Sequence, residues 1–210
     1  MKKALFMALS FLFVFWLFLI FGSHSRVLAA PATHPLTLTT TVLEYITLEL
    51  SGPGADTVAF GNLTPGTPIC YSTGTVATVT TNAANGYTLG VHDAHAASSS
   101  LAHTDTTTHI PKLLTGTIAS PVVWGTQYGV GISMYAADSQ KEVKWEGTTV
   151  CDVLNTYAAI PENTTPAHTV TGVVAAPDTS GWGFKIDVQN TQKTGVYSGT
   201  ITFTATAVLT

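Results

Sequence analysis

Residues 75–92 have the sequence TVATVTTNAANGYTLGVH, which places two runs of alternating apolar and polar residues on either side of a turn signal. In the second run Tyr87, Leu89 and Val91 recur with a two-residue period, which is typical of a half-buried strand. Asn85-Gly86 is a strong tight-turn dipeptide, because both residues tolerate a positive φ. The stretch therefore predicts a β-hairpin whose two strands are GTVATVTT and NGYTLGVH.

The same short period recurs along the rest of the chain, and helical periodicity is scarce. GFKIDVQ and VYSGTITFTATA alternate in the same way around the turn-forming NTQKTG, which predicts a second hairpin at the C-terminus. TTTVLEYITLEL predicts a long early strand, and residues 134–145, the best helical candidate, are still predicted as strand or loop. Regular short strands separated by turn signals predict an all-β fold, a single antiparallel β-sandwich of Ig-like or jelly-roll style.

The N-terminus has the order of a secretory signal peptide. Two lysines precede an apolar run from residue 4 to residue 21, and the small-residue stretch VLAA follows. We expect cleavage between Ala29 and Ala30. The apolar run is about 18 residues long, enough to span a bilayer, so an uncleaved membrane anchor is the alternative. The predicted organisation is a signal peptide, 1–29, followed by a secreted β-sandwich domain, 30–210.

The charge and the cysteine content limit which cellular compartment and which classes of partner are expected. The predicted mature domain carries five lysines against twelve carboxylates, a formal net charge of −7. Nucleic acid is therefore excluded as a partner, and membrane contact is expected only through an uncleaved leader. Cys70 and Cys151 are the two cysteines, and export removes them from the reducing cytosol. A disulfide between them is predicted, with two unpaired thiols as the alternative.

Several of these stretches, in this order, carry a resemblance to a known group. TVATVTTNAANGYTLGVHDA, then Ile110-Pro111, then Trp124-Gly125, then TGVYSGTITFTATA, resemble secreted bacterial β-sandwich surface proteins of WxL-like and camelysin/TasA-like type. The resemblance covers nearly the whole predicted mature chain. It implies a cell-surface, wall-associated or fibre-forming protein, and some TasA-like members polymerise by lending an N-terminal strand to the next subunit.

A histidine-rich stretch, HDAHAASSSLAHTDTTTH, is the candidate metal site. It is predicted to leave the strand at His92 and to continue as a loop up to His109. Zinc or copper needs three or four such side chains converging on one point. The candidate ligands are His92, His95, His103, Asp105 and His109. Weak binding of divalent metal, or no metal role at all, are the alternatives, and no tightly bound cofactor is expected.

The motifs of catalysis are missing from the sequence, so we expect no enzyme activity. The chain has neither a Gly-x-Ser-x-Gly elbow nor a His-Glu-x-x-His pair. Asp138, Glu142 and Glu146 are predicted to form a solvated face. Six aromatic residues are a candidate sugar platform or, alternatively, core packing. These are Trp124, Trp145, Trp182, Tyr71, Tyr128 and Tyr135.

The leading functional hypothesis is a secreted or cell-surface structural or adhesive protein, a self-assembling envelope or fibre subunit. Its partners would be further copies of itself or components of the cell envelope. The expected mechanism is strand pairing at an exposed sheet edge, with residues 31–50 as donor strand. An ordinary first strand within its own domain is the alternative for that stretch. The second hypothesis is an extracellular ligand-binding module, for metal through residues 92–109 or for carbohydrate through exposed aromatic side chains.

Overall fold

A computed structural model describes residues 36–93, 99–174 and 176–209, together with Trp16 and His34. The chain divides into two compact units, residues 1–41 and residues 42–210. The predicted leader and its cleavage site lie outside the described residues, apart from Trp16. No helix among the described residues is long and apolar enough to cross a membrane.

The second unit is built of β-strands, and the described residues form thirteen of them. Their bounds are β1 Ile46–Ser51, β2 Ile69–Cys70, β3 Thr75–Thr81, β4 Tyr87–Asp93, β5 Ser99–His103, β6 His109–Pro111, β7 Val122–Val123, β8 Gly129–Ala137, β9 Thr156–Ala159, β10 Thr165–Val170, β11 Asp178–Asp187, β12 Tyr197–Ser198 and β13 Ile201–Ala207. The named strands pair antiparallel throughout.

The strands form two layers that bury their apolar faces against each other. The first layer is one seven-stranded sheet in the order β1-β3-β11-β8-β9-β7, with β2 beside β11. The second layer consists of two three-stranded sheets, β10-β4-β13 and β12-β5-β6. Trp182 on β11 and Phe203 on β13 meet across the layers with ring centroids 5.4 Å apart. The predicted all-β sandwich is therefore confirmed.

Both predicted hairpins are wrong, although the strands themselves are correct. β3 lies in the first layer and β4 in the second, so the turn that contains Gly86, at φ +84°, joins the two layers. β11 and β13 are separated in the same way. Because β3 and β4 each bury one face, the buried faces can pack against each other, and this produces the same alternation as a hairpin. The local pattern therefore does not distinguish the two connections.

The early strand is shorter than predicted. β1 covers Ile46–Ser51 alone, where its six residues pair with β3. Ile46, Leu48 and Leu50 pack against the core, so this half of the predicted donor stretch is an ordinary first strand of its own domain. The structure is irregular from residue 36 to residue 45. The prediction of strand or loop for residues 134–145 is confirmed, since β8 ends at Ala137 and no helix follows.

The predicted disulfide between Cys70 and Cys151 is confirmed. It links β2 to the segment between β8 and β9, with 81 residues of sequence separation. The same segment contributes Trp145 to the core, where its ring packs edge-on against the ring of Trp182 with centroids 6.1 Å apart. The disulfide thus anchors a segment that also contributes one of the largest buried side chains.

Candidate functional site

An apolar groove opens between the two layers beside β12 and β13. Its volume is about 890 Å³. Side chains from both layers and from the segment that follows β1 line it, among them Leu50, Phe60, Phe184, Ile186, Ile201 and Phe203.

β13 is the incompletely covered strand of this groove. Ile201, Phe203 and Ala205 are only partly buried, whereas Leu89 and Val91 on the neighbouring β4 have no exposed surface. β13 also pairs on one side alone among the described strands, with β4. A strand edge of this kind presents backbone donors and acceptors to any further strand. The groove therefore combines apolar surface with backbone hydrogen-bonding capacity.

One polar side chain in the groove wall lacks a partner. Ser100 on β5 is 3 % exposed and lines the groove. Its Oγ has no hydrogen-bond partner among the described residues.

The chain before β1 carries exposed apolar side chains in a strand pattern. Leu36 is 81 % exposed, Leu38 is 86 % exposed and Val42 is 78 % exposed. Thr37 lies between the two leucines, and Thr39 follows the second of them. Residues 36–42 therefore have the alternation of a strand but belong to none of the described strands. We call residues 36–42 the N-terminal arm.

The histidine-rich stretch does not form the predicted loop. β5 lies within it, β6 begins at its last residue, and the two strands pair with each other as a hairpin. His92 lies on β4, where its Nδ1 is 3.1 Å from Thr164 Oγ1. His103 is 8 % exposed and packs against the ring of Tyr197 at 5.0 Å. His109 is exposed, and His95 lies outside the described residues.

Asp105, the fifth candidate ligand, is engaged at the tip of the hairpin. Lys193 Nζ lies 2.7 Å from its Oδ2, and the backbone N–H groups of Thr107 and Thr108 donate to its Oδ1. Lys193, followed by the hydrogen bonds of Thr108 and Thr107, holds the pKa of this carboxyl well below its usual range. No group of three histidine, cysteine or acidic side chains that could hold a metal occurs among the described residues. The predicted metal site thus receives no support from the described side chains, and it stays a prediction.

The three tryptophans of the candidate sugar platform lie in the interior. Trp124, Trp145 and Trp182 are each at most 3 % exposed. Trp124 packs edge-on against Tyr157 with ring centroids 5.3 Å apart, and Lys185 Nζ lies over the Trp124 ring at 5.4 Å. These indoles therefore pack as core residues, which was the alternative, and present no exposed stacking surface.

Sequence reasoning missed two polar pairs that each include a buried side chain. Of the three acidic residues predicted to form a solvated face, Asp138 and Glu146 are exposed, whereas Glu142 is only partly exposed. Glu142 Oε2 lies 3.0 Å from Nδ1 of His168, a side chain with no exposed surface. Burial raises the pKa of Glu142, but the hydrogen bonds it accepts, that from His168 first, bring its pKa below the usual value. Tyr87 Oη donates to Asp178 Oδ2 at 2.6 Å, and burial followed by this carboxylate raises the pKa of Tyr87 far above 10. Spacing along the chain carries no signal for either pair, since the partners are 26 and 91 residues apart.

Comparison with known proteins leaves the family open. No family model matches this chain, and no curated protein matches it significantly. The similarity to WxL-like and camelysin/TasA-like proteins therefore rests on the quoted motifs alone. Any functional conclusion has to come from the groove, the strand edge and the arm.

Proposed function

We propose that the protein is an exported structural subunit of the cell surface or envelope whose copies assemble by strand addition. In this proposal the N-terminal arm of one copy pairs with the free edge of β13 in the next copy. Its leucines fill the apolar groove there. The observation that carries the proposal is the presence, in one chain, of a strand-patterned arm that belongs to none of the described strands and of an apolar groove beside β13, which pairs on one side alone among those strands.

The dimensions of the arm and of the edge agree. β13 has seven residues, and the arm, residues 36–42, supplies the same number. Seven residues of extended chain span about 24 Å. Once paired, Leu36 and Leu38 face the groove below Ile201 and Phe203, while the intervening threonines join the threonines on the outer face of β13. The arm and the edge strand therefore match in length and in the chemistry of both faces.

The remaining features favour an extracellular setting. The disulfide is typical of proteins that fold in an oxidising compartment. The N-terminal sequence has the order of a secretory leader, and the acidic surface charge disfavours nucleic acid and anionic lipid. An exported protein with an assembly site and no catalytic motif is best explained as a structural or adhesive component.

The test is size-exclusion chromatography with light scattering on protein recovered after export of the full chain. The wild type is expected to give a ladder of oligomers or a polymer. Leu36→Asp/Leu38→Asp places charges where the arm meets the groove and is expected to leave a monomer. Thr37→Asp/Thr39→Asp is the matched control, because it adds the same charge to the outer face of the same arm and is expected to leave assembly intact.

Two results would contradict the proposal. One is a sharp wild-type monomer at all concentrations up to the solubility limit. The other is unchanged assembly of Leu36→Asp/Leu38→Asp, since two buried carboxylates without partners are incompatible with an apolar groove. Both variants lie outside the strands, so the fold of the sandwich is preserved in either case.

A further inference from the structure

The backbone just before β1 is held by side chains at the end of β3. Tyr45 N donates to Asn82 Oδ1 at 2.8 Å, and Asn82 Nδ2 donates to Leu43 O at 2.9 Å. Thr81 Oγ1 donates to Tyr45 O at 2.6 Å. We call these three hydrogen bonds the Asn82 clamp. They connect residues 43–45 to the last residue of β3 and to the residue that follows it.

The clamp works because a primary amide resembles a peptide group. The Asn82 side chain offers one carbonyl acceptor and N–H donors, the same groups that a backbone residue contributes to a ladder. The last residue of β3, Thr81, pairs with Ile46, and the chain then leaves the sheet toward the turn at Gly86. The Asn82 side chain therefore extends the β1–β3 ladder beyond Ile46 and keeps residues 43–45 in line with β1.

We propose that the Asn82 clamp commits the N-terminal arm to a second copy by preventing its insertion into the groove of its own chain. This inference rests on the proposed function, because it concerns the choice between the two grooves that the arm could fill. Asn82 is a positioning residue in this scheme: it touches neither groove and acts through the direction of residues 43–45.

The reach of the arm decides between the two grooves. Leu50 lines the groove, whereas Ile46 and Leu48 do not, so the groove lies beyond the far end of β1 from the arm. With residues 43–45 held in line, the chain can reverse no later than residues 41–42. In such a reversal Leu36, the first leucine of the arm, would come level with residue 47, about three residues or roughly 10 Å short of Leu50, so neither leucine of the arm would enter the groove.

Release of the clamp removes this restriction. If the chain reverses at residues 44–45 instead, Leu38 comes level with residue 51 and reaches the groove beside Leu50. The arm then competes for its own groove at a high effective concentration, because the two are covalently connected. Without the Asn82 clamp the arm would therefore fill the groove of its own chain and block assembly. With the clamp in place the arm remains available to a neighbouring copy.

The test is cross-linking of the arm to β13 with a bismaleimide about 10 Å long. Thr39→Cys and Thr202→Cys introduce thiols on the outer faces of the arm and of β13, and the native cysteines are blocked as a disulfide. The pair is placed in the wild-type, Asn82→Ala and Asn82→Asp backgrounds of the full exported chain. Asn85→Ala is the matched control, because Asn85 lies in the same turn and donates instead to Leu209 O.

We expect a cross-linked ladder in the wild type and in Asn85→Ala. In Asn82→Ala the ladder falls at least fivefold and the cross-linked peptide pair appears within the monomer band. Asn82→Asp keeps the acceptor for Tyr45 N but loses the donor for Leu43 O, so an intermediate result is expected.

Three other outcomes would contradict either the role of the Asn82 clamp or strand addition itself. An undiminished ladder in Asn82→Ala, with no cross-linked monomer, overturns the role of the clamp and leaves strand addition standing. A cross-linked monomer in the wild type also overturns the role of the clamp, since the arm then reaches its own groove despite it. The absence of any arm-to-β13 cross-link in all backgrounds overturns the proposed function itself and the clamp with it.

Discussion

Replacement of Glu142 by glutamine tests whether its pair with the buried His168 stabilises the sandwich. Glu142 Oε2 lies 3.0 Å from His168 Nδ1, and Glu142 Oε1 accepts from Thr169 N at 2.9 Å. Glutamine keeps the shape and the acceptor for Thr169 but removes the charge that faces a fully buried imidazole. Hydrogen bonds to charged groups contribute about 1.5–3 kcal/mol, so Glu142→Gln is expected to lower the free energy of unfolding by about 2 kcal/mol at pH 7.

The same pair predicts a dependence on pH. Because the pKa of Glu142 is lower in the folded protein than its ordinary value of 4.5, its contribution is fully present above pH 4.5. The contribution is lost as the pH falls through the folded pKa. The wild type should therefore lose more stability than Glu142→Gln between pH 5 and pH 2, and the two should converge at the acidic end.

Urea unfolding of the oxidised proteins measures this difference, with an unchanged slope on denaturant as the sign that the folded state is intact. Glu146→Gln is the control, since Glu146 is exposed in the same segment and its side chain is expected to contribute less than about 0.5 kcal/mol. Equal losses for the two variants, or a Glu142→Gln loss that does not change with pH, would refute the reasoning.

Two further predictions concern stability. Cys70→Ala/Cys151→Ala removes a cross-link that closes a loop of 81 residues. If the disulfide acts by restricting the unfolded chain, its loss should reduce the free energy of unfolding by about 4.5 kcal/mol, as measured by urea unfolding. A loss below about 1 kcal/mol would contradict this explanation. Tyr87→Phe leaves the buried Asp178 carboxylate without the donor it has at 2.6 Å and should cost about 2–3 kcal/mol in the same assay, so a neutral substitution would show that this bond is not stabilising.

Local pattern was sufficient to predict strands but not their partners. The alternation in Tyr87–Asp93 and in Ile201–Ala207 predicted β4 and β13, because burial of one face has a two-residue period whatever lies across from it. Their assignment to hairpins was wrong because a connection between layers leaves the same local pattern. Which strand pairs with which is decided by contacts between distant parts of the chain.

The sequence pattern also did not show at which residue the first strand begins. The arm carries apolar residues at alternate positions except at Thr40, yet β1 begins only at Ile46, where β3 provides a paired residue in Thr81. The groove is lined by residues of several strands, among them β1, β5, β11, β12 and β13, and by the segment after β1, so no single stretch of sequence contains it. The arm, by contrast, is a local feature, and the sequence alone identified residues 31–50 as the stretch to examine.

The position of β1 also has a mechanical consequence. In an assembly joined through the arms, tension enters each sandwich at residues 43–45, which the Asn82 clamp holds along the axis of β1. Hydrogen bonds in an antiparallel pair lie perpendicular to the strands, so an axial pull loads all six residue pairs between β1 and β3 together, in shear. The clamp would thus make the first strand a joint that resists sliding, whereas a pull across the strand would open the same bonds one after another. The disulfide between Cys70 and Cys151 lies outside this pair of strands, so oxidation would add no covalent link across the joint itself.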